Sequence, residues 1–392
     1  MANTITSDIV AWPDEDNRIP REIYLSQELF DEEMRAVFGG PYWTLLGHAA
    51  EIPEPGDYKT TQLGNVPIIL IRDMGGSLHA LVNSCAHRGT ALVRDSYGNL
   101  ADSKCLTCIY HNWRYDLNGK LLSASLAEDF PVDFTKDQYG LPVARVETYA
   151  GAIFVSLSDE APPILDYLGG ITEGLDTALG DGDLVYLGSQ KVMFECNWKI
   201  AAENLYDGYH AIALHAAIRL LKLGGASGEA HMPDFEKYGH IWTEYTATSP
   251  ESVDYLKDPS LLDLKTKKEA TNSIINIFPV GIVSDQLDTL ALRFALPKGV
   301  AETEMHFALF ARRGEDSELV HHRVRQGSNL FGPEGFISLE DQTALARVQD
   351  GARGRGDNVA LKGAWKRFPP YRILDEAGLR HFYATYRRAM GL

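Results

Sequence analysis

Cysteine is scarce in this chain, 4 in 392 residues. That is too few for a disulfide scaffold, so the core must come from buried apolar surface, for which a chain of this length has ample material. No stretch approaches the roughly 18 consecutive apolar residues that a membrane-spanning helix needs. The first twenty residues have no basic or apolar region of a secretory leader and carry Asp8, Asp14, Glu15 and Asp16 instead. Positive charge is also short. Lys and Arg number 37 against 54 Asp and Glu, a net charge of −17, the opposite of what a general nucleic-acid binder or an anionic-membrane binder carries. Internal repeats and low-complexity tracts are missing too. What remains is a soluble globular protein of roughly two or three domains' length, expected in the cytoplasm.

A first helix is expected over Ser26 to Phe38, with Ser26 as N-cap and Leu29, Phe30, Met34 and Val37 at helical spacing. From about Trp43 to Leu157 the texture becomes short β-type runs separated by turns, and Asn118-Gly119 marks a hairpin. Gln190 to Ile200 is expected to be a strand, followed by an Ala- and Leu-rich helical stretch to Leu221. Leu223 to Ala270 resists assignment and suggests a cover over a site. Ser273 to Gln286 and Thr289 to Pro297 suggest adjacent strands, and Asp375 to Met390 a closing helix. The fold class is α+β with an inserted all-β module.

Three of the four cysteines fall within 24 residues. Cys85-Ala86-His87 is followed, after a 20-residue gap, by Cys108-Ile109-Tyr110-His111. Two thiolates and two imidazoles from two loop tips suit either a structural zinc or a [2Fe-2S] cluster with two Cys on one iron and two His on the other. The β-rich flanks and the opposed loops favour the cluster. Each tip also holds a residue tolerant of positive φ, Gly89 and Asn112. Cys105 with Cys108 offers an alternative metal pair; otherwise Cys105 is a strand residue with no ligand role.

These two loops resemble the ligand loops of Rieske [2Fe-2S] domains in ring-hydroxylating oxygenases. The gap between them is a few residues longer than usual, and Asn112 stands where Gly is common. Farther along, His210 and His215 lie five residues apart, which on an ideal helix turns the rings roughly 140° away from each other. They can share a metal only if the helix breaks. Asn204, Asp207, Tyr209, His210 and His215 are similar to the motif at the mononuclear iron of the same family, where two His and one carboxylate bind Fe(II). Asn329 to Asp341 resembles the Gly-containing run that ends in the third ligand. That match names Asp341, with Glu340 as the alternative if the register slips by one.

The resemblance implies an N-terminal helical segment (1–42), a Rieske domain (43–158) and a helix-grip-like antiparallel-sheet catalytic domain (159–392). Cys85, His87, Cys108 and His111 would hold the cluster; His210, His215 and Asp341 would hold Fe(II), with O2 as co-substrate. Asp207, Asn204 and Tyr209 would act beside the iron, Asp207 by orienting His210 and by bridging toward the cluster of a neighbouring subunit. A head-to-tail trimer follows, either α3 or α3β3 with a small second subunit. The activity implied is hydroxylation of an aromatic ring, most simply dihydroxylation, with monohydroxylation or demethylation as the alternative.

No strand–GxGxxG–helix fingerprint for a nicotinamide or flavin is present, and Gly351 to Gly356 has the wrong spacing. Electrons must come from a ferredoxin or a flavin/iron–sulfur reductase. Although the chain is acidic, Arg88, Arg94, Lys104, Arg114 and Lys120 outnumber Asp95, Asp102 and Asp116 around the two Cys–His pairs. Arg88, Lys104 and Arg114 are therefore candidates for steering such a donor. For the substrate, strand alternation puts Arg293 on one face with Ala291 and Ala295, where a guanidinium can grip a carboxylate bidentately. The second half also looks similar to oxygenases of aromatic acids such as terephthalate, anthranilate and salicylate. Leu205, Leu214, Ile218, Ile275, Ile277 and Phe278 are the expected pocket walls.

Overall fold

A computed structural model describes residues 10–13, 18–221, 223, 228–233, 237–246, 256–266, 271–354, 356–359, 371–372 and 374–392. The chain enters through a short strand, Arg18–Ile19 (β1), and helix Gln27–Ala36 (α1), which starts where Ser26 accepts a hydrogen bond from the Leu29 amide at 3.2 Å. Nine strands and a further closing strand then build the β module: Thr44–His48 (β2), Asp57–Leu63 (β3), Val66–Arg72 (β4), Leu78–Val82 (β5), Tyr97–Asn99 (β6), Leu106–Thr107 (β7), Arg114–Tyr115 (β8), Leu121–Ser123 (β9), Val143–Tyr149 (β10) and Ala152–Ser156 (β11). They form a seven-stranded antiparallel sheet in the order β2-β11-β10-β5-β4-β3-β6 and a three-stranded sheet β7-β8-β9. The expected hairpin joins β8 to β9, with Asp116 accepting the Asn118 and Lys120 amides and Gly119 at φ 91°.

Two helices, Ile164–Leu168 (α2) and Thr172–Leu179 (α3), lead into the long strand Leu184–Phe194 (β12). Three short helices follow: Trp198–Tyr206 (α4), Tyr209–Leu214 (α5) and Ala216–Leu220 (α6). The sheet resumes with Gly228–His231 (β13), Ile241–Thr246 (β14), Thr271–Ile277 (β15), Gly281–Gln286 (β16), Thr289–Gly299 (β17) and Glu302–Arg312 (β18). Helices Ser317–Gln326 (α7) and Ser338–Ala352 (α8), strands Asn358–Val359 (β19) and Tyr371–Arg372 (β20), and helix Ala377–Met390 (α9) complete the chain. The eight-stranded sheet runs β12-β18-β17-β16-β15-β14-β13-β20, antiparallel at every neighbour. This is the α+β architecture expected, with a β module ahead of a helix-covered antiparallel sheet.

Period-2 alternation divides the large sheet cleanly. Trp242, Ile275, Ile277, Val283, Leu290 and Leu292 face α2 and α3 in a buried apolar layer. Thr243, Tyr245, Asn272, Ile274, Ile282, Gln286 and Arg293 face the other way, toward α4 to α6 and a cavity.

Three local expectations need correction. The strand expected over Gln190–Ile200 ends at Phe194, because Asn197 accepts the Lys199 amide and starts α4 at Trp198. Ser273–Gln286 is two strands with a turn at Phe278–Val280. The helical stretch to Leu221 is three helices, for reasons given below. The Leu223–Ala270 region contributes β13, β14 and a turn at Pro259–Leu262; residues 224–227, 234–236, 247–255 and 267–270 of the expected cover lie outside the described residues, as does Arg355.

Two buried charge networks fix the site's scaffold. Glu33 on α1 accepts from Lys199 Nζ at 2.6 Å, Trp198 Nε1 at 2.7 Å and Tyr386 Oη at 2.6 Å. First helix, last helix and α4 are thereby tied at one carboxylate. Between the two sheets, Lys59 Nζ donates to Glu51 at 2.7 Å, Tyr97 donates to the same oxygen at 2.6 Å, and Tyr186 on β12 reaches Tyr97 at 3.2 Å. Removing one partner of such a pair strands a charge in the interior. Lys199→Met is expected to cost about 3–5 kcal/mol, read as a fall in denaturant midpoint, with the double variant Glu33→Gln/Lys199→Met losing less. A single variant within 1 kcal/mol of wild type would show that α4 is held some other way.

Candidate metal centres and substrate cavity

The helical stretch breaks twice, at the positions the two imidazoles require. Asp207 leaves the helix with φ −102° and ψ 106°, and its carboxylate accepts the amides of Tyr209 at 2.6 Å and His210 at 3.2 Å, starting α5 afresh. His215 leaves it again with φ −75° and ψ 93°. The rings then converge. His210 Nε2 lies 3.6 Å and His215 Nε2 3.4 Å from Asp341 Oδ1, in the first turn of α8.

Each imidazole is backed by a carboxylate. His210 Nδ1 is 3.4 Å from Asp207, and His215 Nδ1 is 3.0 Å from Glu340, whose other oxygen accepts the Ala216 amide at 3.1 Å. A proton held on Nδ1 leaves the Nε2 lone pair facing inward. One donor atom from each of His210, His215 and Asp341 lies within 4.8 Å of the others. Asp341 Oδ1 is buried with no hydrogen-bond partner, an arrangement that a cation between the three groups resolves. Two imidazoles and one carboxylate on one side, with space on the other, fit a mononuclear Fe(II). Burial pushes the Asp341 carboxyl up, opposed by His210, His215, the Asn204 side chain and Arg293. Glu340, the alternative ligand, sits behind His215 instead.

The two Cys–His loops are near copies of each other. In the first, the Cys85 carbonyl accepts the Gly89 amide at 2.8 Å and the Cys85 amide donates to Thr90 at 2.9 Å. In the second, the Cys108 carbonyl accepts the Asn112 amide at 3.0 Å and the Cys108 amide donates to Trp113 at 2.8 Å. Gly89 at φ 72° and Asn112 at φ 56° close these turns in the left-handed region. Both thiols are buried and in reach of one another; Cys85 Sγ meets Tyr115 Oη at 3.2 Å. His87 Nδ1 and His111 Nδ1 stand 3.1 Å apart, with the His87 ring stacked on Trp113 at 5.0 Å. Two inward thiols and two facing Nδ1 atoms fit a [2Fe-2S] cluster between the tips. The Cys105 sulfur is engaged by Arg114 at 3.2 Å. Ile109 and Tyr110 at the tip are 80% and 60% exposed, and Arg88, Lys104 and Arg114 are exposed around it.

A cavity of about 190 Å³ opens beside the His210–His215–Asp341 group. An engineered cavity of roughly 150 Å³ accommodates benzene, so a single substituted ring fits. Arg293, Leu205 and Ile218 line it, as do Asn204 and Asp207. Leu214, Ile275 and Phe278 do not. Ile275 and Ile277 have the wrong strand parity, Phe278 packs between Tyr42 and Phe382, and Leu214 turns away on α5. Tyr209, expected beside the iron, presents its ring at the surface, 39% exposed, since the residue next to His210 on a helix points about 100° away. Sequence reasoning missed Tyr245, Asn272, Ile274, Ile282 and Gln286; strand parity with Arg293 was the available signal.

An antiparallel sheet with a carboxylate-backed 2-His-1-Asp group, preceded by a paired Cys–His β module, defines a Rieske-type oxygenase subunit. Comparison with known proteins agrees. Residues 42–132 match the Rieske [2Fe-2S] domain, and residues 181–392 match the ring hydroxylating alpha subunit (catalytic domain). The chain belongs to the family of ring-hydroxylating oxygenase alpha subunits, and its cofactors are a Rieske cluster and a mononuclear iron, with O2 as co-substrate. It is 32% identical to the anthranilate 1,2-dioxygenase large subunit of Burkholderia cepacia, over 98% of this chain and 96% of that one. It is 30% identical to the terephthalate 1,2-dioxygenase terminal oxygenase alpha 2 subunit of a Comamonas species, over 98% of each. Naphthalene 1,2-dioxygenase from Rhodococcus sp. shares the fold, with a TM-score of 0.80 at 22% identity over 96% of this chain and 95% of that one. No helix among the described residues is long and apolar enough to cross a membrane.

The two acidic neighbours on α8 separate by substitution. Asp341→Asn is expected to lower iron from three to two per chain while leaving the reduced cluster's EPR signal intact. Glu340→Gln should keep the third iron at roughly 10–100-fold weaker affinity. Iron loss in the Glu340 variant alone would reverse the two roles.

Proposed function

We propose that this subunit dihydroxylates a single-ring aromatic carboxylic acid. The observation that carries the reading is Arg293, whose guanidinium lines the same small cavity as His210, His215 and Asp341 and makes no direct carboxylate contact among the described residues. It lies between the rings of Phe307 and Phe331, 5.5 and 5.7 Å from their centroids, and among the described residues donates to the side-chain amide of Gln286 at 3.2 Å. The nearest opposite charge, Asp341, belongs to the metal-binding group, which leaves the guanidinium's hydrogen-bonding edge for a ligand carboxylate. The names of the relatives, anthranilate and terephthalate dioxygenases, support an acidic substrate.

In this reading Cys85, His87, Cys108 and His111 hold the cluster, and His210, His215 and Asp341 hold the iron; the chain divides at residues 42 and 158. When bound, the cluster supplies one-electron transfer and the iron supplies O2 activation. The chain's residues do the rest. Arg293 anchors the carboxylate and sets which ring carbons face the metal. Leu205, Ile218, Ile274 and Ile282 grip the ring and exclude water. Glu340 holds the proton on His215 Nδ1, Asp207 stands 3.4 Å behind His210 Nδ1, and Asn204 steadies Asp341. Arene, O2, two electrons and two protons give a cis-dihydrodiol, so the balance requires an external donor, a ferredoxin or flavin/iron–sulfur reductase.

Asp207 at the mouth of the iron site and the exposed cluster tip suit a head-to-tail trimer in which electrons cross between subunits, as α3 or α3β3. Arg88, Lys104 and Arg114 around the tip steer the donor in the cytoplasm.

Arg293→Met is expected to weaken an aromatic acid by roughly 30–150-fold in kcat/KM, in line with losing a buried charge pair of about 2–3 kcal/mol. Neutral arenes should change little; an unaltered preference for acids removes Arg293 from the reading. Charge reversal at Lys104 and Arg114 is expected to slow cluster reduction by the donor and flatten its salt dependence. Unchanged rates at low salt would place the docking face elsewhere.

A further inference from the structure

The wall around Arg293 has a property beyond the single guanidinium: the two side-chain amide oxygens beside it, those of Gln286 and Asn272, each already receive a hydrogen bond. Arginine has no acceptor, so its bond to Gln286 fixes that amide's oxygen toward Arg293 and its nitrogen toward Tyr245, whose hydroxyl it meets at 2.9 Å. The backbone amide of Leu287 likewise fixes the Asn272 side-chain oxygen. The Tyr245 oxygen accepts from Gln286, which leaves its own hydrogen to give. Tyr245 and Asn272 are directly opposed on β14 and β15, and Arg293 pairs with Ile282 on β16, so these groups share one face of the sheet. Arg293 Nε is buried with no hydrogen-bond partner.

Beside Gln286 the wall presents a ligand with two kinds of donor: the guanidinium N–H groups and the Tyr245 O–H. An ionised carboxylate is acceptor-only, with two oxygens to present. Resting on the acidic-substrate reading above, we infer that Tyr245, oriented by Gln286, is the second arm of a carboxylate clamp whose first arm is Arg293. One carboxylate oxygen meets the guanidinium and the other meets the phenol. Gln286 is a positioning residue that fixes both arms without touching the ligand. The clamp selects against groups that must donate, because both of its arms are themselves donors.

Benzoate and nitrobenzene test this, since the two are close in shape and differ in charge. Binding of each to the iron- and cluster-loaded enzyme is measured by anaerobic titration calorimetry for wild type, Tyr245→Phe, Gln286→Glu and Arg293→Met. Wild type is expected to prefer benzoate. Tyr245→Phe should weaken benzoate about tenfold, the loss of one hydrogen bond to a charged group, and leave nitrobenzene within twofold. Gln286→Glu places a carboxylate on Arg293 and should weaken benzoate more than tenfold while sparing nitrobenzene. Unchanged benzoate affinity in Tyr245→Phe, or equal losses for both ligands in either variant, overturns the clamp while leaving Arg293 as the anchor. No preference for benzoate in wild type, or none lost in Arg293→Met, instead overturns the acidic-substrate reading on which the clamp rests.

Discussion

The site depends on a helix that refuses to continue. Five residues apart on an unbroken helix, His210 and His215 face directions that no single ion can satisfy. Asp207 breaks the helix on one side of His210, and His215 itself breaks it on the other, so the two Nε2 atoms end within 3.6 Å of one carboxylate oxygen. Asp207 serves both ends of this arrangement. Its oxygens take the amides that restart the helix, and the same carboxylate stands behind the His210 ring. Backbone geometry and ligand orientation are one constraint here, which is why a short polar residue occupies that corner.

The scaffold around this corner is held by buried charge as much as by apolar packing. Glu33 gathers Lys199, Trp198 and Tyr386, and so sets where α4 lies before it delivers Asn204 and Asp207. The Lys59–Glu51 pair does the corresponding work between the two sheets. Such pairs add little net stability over apolar substitutes but penalise misplacement strongly. A metal site whose ligands come from α5, α8 and the break between α5 and α6 needs that kind of registration. Arg293 belongs to the opposite case, a buried cation whose partner is left for the substrate to bring.

Legibility in the sequence followed the distance over which each feature is encoded. Cys85–His87 and Cys108–His111 are local patterns, and the turns that serve them need only Gly89 and Asn112, so they could be read directly. The need for a break between His210 and His215 followed from helix geometry alone. Arg293 emerged from strand alternation. Ile275 and Ile277, expected as pocket walls, face α2 and α3, whereas Ile274, on the opposite parity of the same strand, faces the cavity. Tyr245, Asn272 and Gln286 were not legible, because their shared face exists only once β14, β15 and β16 pair in register. The Glu33 network joins residues up to 353 positions apart and left no local trace.

One chain holding two metal sites of different kind is what the whole arrangement requires. Iron and acid-labile sulfide in anaerobically purified protein, with an EPR spectrum after dithionite reduction, test it most directly. Three irons, two sulfides and a rhombic Rieske-type signal per chain are expected. Zinc without sulfide, or a cluster signal of the all-cysteine type, would contradict it.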